Sequence, residues 1–256
     1  MEKQVCYYMK GQDLASEMVF QPNSLVITNQ IVVGEQAQAA GAVCVAVCGE
    51  EVSLEGFYPW AELLVENLAD LDEKLLERTW CHGKGLPWRV AEGYQIYLQE
   101  LTPEAVPELY RIYHEPEVTA WVQEMKGTLE EECDRMAAYQ KSSYRFYGCG
   151  IWGIYRKFDD LLLGSCGLEW KDWNDQTVLE LGYVLGKEFH GHGYATEASL
   201  LALGYARKQD YGMVRARIAP DNMASRAVAE RIGMRQEGSI LLEGCEYLVY
   251  VTDNIE

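Results

Sequence analysis

Two short apolar runs, Ser24–Thr28 and Ala42–Cys48, flank an Ala/Gln/Glu-rich stretch, Ile31–Ala40, that stops at Gly41. Unbroken β-branched runs of this length predict strands, and the stretch between them predicts a helix ended by glycine. Ala61–Leu68 reads as extended, and Asp70–Trp80 as a charged amphipathic helix opened by an Asp cap. Residues 1–86 are therefore predicted to form a small layered α/β domain. It has no glycine-rich phosphate loop, because the first strand runs into Asn29-Gln30. Cys81–Trp88, reading CHGKGLPW, is punctuation between periodic segments and marks the boundary to a second domain, residues 87–256.

Tyr94–Leu101 alternates as a strand, and Thr102-Pro103 opens a helix to about His114, with Thr102 as N-cap and Pro103 at the first helical position. A second helix spans about Leu129–Lys141. Three strand-like runs follow, Cys149–Arg156, Leu161–Trp170 and Thr177–Leu185, which imply an antiparallel meander. Polar, glycine-rich Lys187–Gly193 leads into a long helix, Tyr194–Gln209. A strand at Met213–Ala219 and a helix from about Met223 to Ile232 come next. Ser239–Leu242 and Tyr247–Thr252 suit a closing hairpin.

Composition narrows the function. At 256 residues and 48% hydrophobic the chain can bury a substantial core. Its longest apolar stretches, such as Ala39–Cys48 and Ser199–Ala206, fall short of the ~20 residues a bilayer requires, so no membrane association is expected. The polar amino terminus, MEKQVCYYMKGQD, lacks the pattern of a secretory signal, which predicts a cytoplasmic protein. A formal charge of −18 repels a phosphate backbone and argues against nucleic acid; it reads first as a solubility device and only modestly favours a cationic or amine-bearing partner. The eight cysteines lack paired spacing and read as reduced, buried small hydrophobes; no metal site is expected.

The chemistry concentrates in Glu180–Ala198, ELGYVLGKEFHGHGYATEA. A strand exits into His190-Gly191-His192-Gly193-Tyr194-Ala195 and turns at once into a helix. Glycines there let the backbone approach a ligand, and the helix start aims unpaired N–H groups and a positive dipole end at one point, as suits a pyrophosphate.

This string resembles motif A of the GNAT superfamily of acetyltransferases, Q/R-x-x-G-x-G/A, here His190-x-x-Gly193-x-Ala195; the departure is His190, which still carries a donor for phosphate. Asn222-x-x-Ser225 with Glu230-Arg231-Ile232-Gly233-Met234 is similar to motif B. Glu180-Leu181-Gly182-Tyr183 is similar to the E-I-G-Y strand of the branch that acetylates protein amino termini, notably of ribosomal proteins. The resemblance covers about Gly93 to Thr252. It implies an α/β fold with a mixed sheet that splays after its fourth strand, with acetyl-CoA in the gap. It also implies phosphate contacts at His190, Gly191, His192, Gly193, Tyr194 and Ala195, and pantetheine contacts at Tyr183, Val184, Leu185 and Asn222.

Acyl transfer from a thioester to an amine requires loss of a proton from nitrogen and a donor for the departing thiolate. Glu180 is the candidate base, acting through a water; the alternative is a strand carboxylate facing solvent or paired with an arginine. Many relatives carry an acidic tyrosine on the motif B helix where this chain has Ala229, so Ser225 is the candidate donor; the alternative is a first-turn serine below an Asn222 cap, bonding only backbone. Aromatics at Tyr110, Tyr113, Trp121, Tyr139, Tyr144, Phe146, Tyr147 and Trp152 are expected to be mostly core, with some gripping the acceptor as the resemblance implies for this region, and His82 and His114 to be structural. The acceptor is an amine, either of a peptide amino terminus or of a small molecule such as a polyamine, antibiotic or amino acid. A non-catalytic acyl-CoA-binding protein is the competing class.

Over Leu25–Gly49 the first block also resembles part of a haloacid-dehalogenase-like domain, without that family's Asp-x-Asp nucleophile motif. On that resemblance it is an inactive remnant serving packing, formation of a homodimer or substrate guidance.

Overall fold

The computed structural model describes residues 4–9 and 20–253, and the chain divides into two compact units, Met1–Trp88 and Arg89–Glu256. The amino-terminal segment read above as free of a signal, Met1–Asp13, lies outside the described residues apart from 4–9.

The first unit runs β1 (Gln4–Tyr8), β2 (Ser24–Thr28), α1 (Ile31–Ala39), β3 (Val43–Val47), β4 (Leu63–Val65), a 3-10 turn (Leu68–Asp70) and α2 (Glu73–Gly83). Its four strands form a parallel sheet in the order β1-β2-β3-β4. Val26, Cys44 and Ala46 pack against Val33 and Ala37 of α1, while Leu25, Ile27, Val43 and Val45 pack against Leu76 and Trp80 of α2. Both faces of the sheet are thus covered, which is why these strands read as unbroken apolar runs rather than alternating ones. The cap of α2 is Asp72, whose carboxylate accepts the Leu75 amide at 2.7 Å. Asp70, expected to open that helix, instead accepts the Asn67 amide in the preceding 3-10 turn.

The second unit runs β5 (Arg89–Glu92), β6 (Ile96–Glu100), a 3-10 turn (Pro103–Ala105), α3 (Val106–Tyr113), α4 (Pro116–Thr119), α5 (Leu129–Tyr139), a π-helical segment (Gln140–Tyr147), β7 (Ile151–Arg156), β8 (Leu162–Trp173), β9 (Gln176–Leu185), a 3-10 turn (Lys187–Phe189), α6 (Tyr194–Lys208), β10 (Val214–Ile218), α7 (Met223–Arg231), β11 (Arg235–Leu242) and β12 (Cys245–Val251). The eight strands form one mixed sheet in the order β11-β12-β10-β9-β8-β7-β6-β5. Every neighbouring pair is antiparallel except β9 and β10, which the crossover through α6 makes parallel.

The meander, the long helix and the closing hairpin fall where the periodicity puts them. The strand expected from Tyr94 starts at Ile96, because residues 93–95 form the turn of an unforeseen hairpin with β5. Thr102 precedes a 3-10 turn and makes no side-chain cap. The helix expected to reach Lys141 changes to π-helical geometry at Gln140 and closes at Gly148, φ 72°. Of the aromatics expected in the core, Tyr144 and Trp152 are fully buried, whereas Trp121, Phe146 and Tyr147 are exposed. Cys245 is exposed too, against the expectation for the cysteines, because it lies at the turn of the β11–β12 hairpin.

Candidate active site

Strand β9 is held to β8 through ten residue pairs, from Gly164↔Leu185 to Trp173↔Gln176. Its ladder with β10 has two, Val214↔Leu179 and Arg215↔Glu180, after which β10 turns its pairing to β12 alone. The two strands part just past Glu180. Among the described residues Leu181–Leu185 therefore present one edge with no strand partner, opening a gap in the sheet whose wall is main-chain donors and acceptors.

The chain leaving β9 closes one end of this gap. Gly191 and Gly193 have φ of 80° and 85°, and a Cβ built on either would meet nothing within 4 Å. Both glycines are thus required by backbone conformation and face open space. Gly193 is the N-cap of α6 and has no side-chain cap, so the amides of Tyr194 and Ala195 keep their orphan donors at the positive end of a 15-residue helix. His190 folds back so that Nε2 donates to the Leu185 carbonyl at 3.1 Å. His192 stacks on Tyr194, ring centroids 5.6 Å apart.

Glu180 sits at the fork with its side chain 13% exposed. Its Oε2 accepts from Trp173 Nε1 at 2.9 Å, and its Oε1 forms an ion pair with Arg217, 3.2 Å from Nε. Burial raises the carboxyl above its ordinary value, and Arg217 and Trp173 only partly offset that. The arginine partner foreseen as the alternative role is therefore present, yet each carboxylate oxygen retains a second lone pair. Directly across the ladder stands Glu169, which accepts from Tyr139 Oη at 2.8 Å and pairs with Lys171 Nζ at 2.8 Å.

Strand alternation turns Tyr183 to the face opposite Glu180. There its phenol donates to Ser225 Oγ at 3.0 Å. Ser225 is held in the first turn of α7, where Asn222 Oδ1 accepts its amide at 3.0 Å. Asn222 is therefore the helix cap, while the serine hydroxyl reaches across to β9. Sequence reasoning missed the Tyr183 side chain, having assigned that residue through its backbone, and also missed Trp173, Arg217 and Glu169; Tyr139, foreseen only as one of the aromatics, bonds Glu169. The alternation of β9 could have shown that Tyr183 and Glu180 face opposite sides. It carries no signal for partners 42 residues away.

On the edge of β8 that β7 leaves after Gly167 lies a cavity of about 480 Å³, lined by Glu169, Asp172, Trp170, Tyr147 and Thr177 among others. Thr177 Oγ1 donates to Asp172 at 2.8 Å. Among the described residues no group of three or more His, Cys, Asp or Glu is placed to hold a metal ion, and no helix is long and apolar enough to cross a membrane.

Residues 95–235 match the sequence model of the acetyltransferase (GNAT) domain. The uncharacterized protein YkkB of Bacillus subtilis (strain 168) is 30% identical over 130 residues, half of this chain and 74% of its own. The probable N-acetyltransferase YjcK of the same organism is 30% identical over 117 residues, 43% of this chain and 61% of its own. Among solved structures, RimL, a ribosomal L7/L12 alpha-N-protein acetyltransferase in complex with coenzyme A, superposes with a TM-score of 0.54 at 19% identity, over 64% of this chain and 97% of that one.

Proposed function

From the premise that this chain belongs to the GNAT family of N-acetyltransferases, we propose that it transfers an acetyl group from acetyl-CoA to a primary amine in a ternary complex. One observation carries the reading: a gap between β9 and β10 that ends at two left-handed glycines, the second of which caps a helix. The donors and the space suit a pyrophosphate with an extended amide chain behind it. His190, Gly191, His192, Gly193, Tyr194 and Ala195 would surround the phosphates, with Tyr183, Val184, Leu185 and Asn222 along the pantetheine. Acetyl-CoA supplies the activated acyl carbon.

The residues of this chain handle the protons. Glu180, its carboxyl raised by burial, takes the amine proton through a water, and a base so shifted accepts a proton more readily near neutrality than an ordinary carboxylate. Ser225, on the opposite face of the sheet, donates a hydrogen bond to sulfur as the C–S bond breaks. Hydrogen-bond donor and base thus approach the fork from two sides.

Two acceptor classes have support. The strand Glu180–Tyr183 is similar to that of enzymes acting on peptide amino termini. The cavity beside Glu169 favours a small amine with a second positive charge, since its volume suits a small molecule and Glu169, Asp172, Trp170 and Tyr147 offer carboxylates and aromatic faces. A panel of short peptides and diamines, assayed with acetyl-CoA for release of CoA thiol, separates the two by kcat/KM. A cytoplasmic location and a non-catalytic amino-terminal domain of residues 1–86 complete the proposal.

A further inference from the structure

A serine hydroxyl has one proton and two lone pairs, so what it donates to depends on what it accepts. Ser225 Oγ accepts from Tyr183, a bond that spans the gap from β9 to α7. No other hydrogen bond to this hydroxyl is made among the described residues. With Tyr183 occupying one lone pair, the Ser225 proton points away from the phenol. Tyr183 lies on the part of β9 that β10 has left, whereas α7, MASRAVAER, has no tyrosine of its own.

We propose that Tyr183 is a positioning residue that orients the Ser225 hydroxyl toward the sulfur leaving in the gap. This rests on the reading of Ser225 as thiolate donor. Donation into Ser225 Oγ also polarises its O–H and strengthens the bond it gives. The phenol keeps its own proton: burial raises its pKa, and the neighbouring Cys166 thiol, pushed up to about 12, stays neutral opposite it. In the reaction the N–C bond forms and the C–S bond breaks, with its electron pair staying on sulfur. The amine proton leaves through Glu180, Ser225 and Tyr183 retain their covalent O–H bonds, and the thiol is protonated from solvent.

The test measures kcat and acetyl-CoA affinity for Tyr183→Phe, Ser225→Ala and the double variant. Tyr183→Phe is expected to lower kcat on the order of tenfold with acetyl-CoA affinity unchanged, and the double variant should be no slower than Ser225→Ala alone. Normal turnover in Tyr183→Phe beside a slow Ser225→Ala overturns the role of Tyr183 and leaves that of Ser225 standing. Normal turnover in Ser225→Ala overturns both. Additive losses, or a weakened affinity that accounts for the slowing, also overturn the proposal. Should thermal melting show Tyr183→Phe unfolded, 3-fluorotyrosine at position 183, a stronger donor of nearly the same shape, replaces it. It should change kcat only while Ser225 is present; an equal change in Ser225→Ala overturns the proposal.

Discussion

Replacing Gly193 with valine separates the stability of the phosphate loop from its function. Gly193 has φ 85° and open space where a Cβ would stand, so the substitution meets no neighbour. Its cost to folding is conformational, about 1–2 kcal/mol for an L-residue in the left-handed region, with a β-branched residue at the upper end. For a domain of this size a loss of about 2 kcal/mol lowers Tm by about 4–8 °C. The open space is where the phosphates would lie. Two lost charge-assisted hydrogen bonds, each worth roughly 1.5–3 kcal/mol, weaken acetyl-CoA binding by roughly 10²–10⁴-fold. Gly233, which follows α7, supplies the control, with the same φ of 85° and the same empty surroundings. Gly233→Val should melt as early as Gly193→Val but keep wild-type affinity. Calorimetric titration with acetyl-CoA, alongside thermal melts of both variants, provides the readout. Equal affinities in the two variants would refute the placement of the phosphates at Gly193.

Glu180→Gln should lower turnover about 10²–10⁴-fold near neutral pH, with a defect that shrinks as pH rises and the amine becomes neutral unaided; a normal pH–rate profile would make Glu180 a bystander. Because Arg217 pulls the Glu180 carboxyl down against the effect of burial, Arg217→Ala should move the acidic limb of kcat/KM to higher pH, and an unmoved limb would show that it belongs to another group. Asp172→Asn should raise KM for diamines with little change in kcat or in KM for monoamines, since it removes a charge from the cavity wall and leaves the fork intact. A chain beginning at Pro87 should bind acetyl-CoA as the full chain does, because every residue assigned to the cofactor lies in the second unit; a folded truncation that fails to bind would assign part of the site to residues 1–86.

Much of the second unit was legible because its local signals agree with its packing. Alternation marked β6, consecutive strand-like runs marked β7 to β9, and the glycine loop before α6 follows from backbone conformation that only a few residue types tolerate. The signals failed where tertiary partners decide. Asp70 and Asp72 are equally good caps in sequence, and only the 3-10 turn over Asn67 separates them. The change to π-helical geometry at Gln140 has no periodic mark. Nearby, Tyr139 bonds the Ile151 amide and Glu169, and Tyr144 bonds the Leu101 amide, contacts that no local pattern encodes. Within the site, Ser225 and Asn222 were reached through the resemblance of Asn222-x-x-Ser225 to motif B. The bond from Tyr183 to Ser225 and the hold of Trp173 and Arg217 on Glu180 arise from strand pairing and crossover, so they emerge only in three dimensions.

The central claim, that this chain moves an acetyl group to an amine, is tested most directly by incubating it with acetyl-CoA and a panel of peptides, diamines and monoamines. Free CoA thiol and the acetylated amine are measured together. Equimolar thiol and amide with at least one amine, abolished in Gly193→Val and retained in Gly233→Val, is the expected result. Acetyl-CoA that raises Tm while no amine yields thiol above background would contradict it.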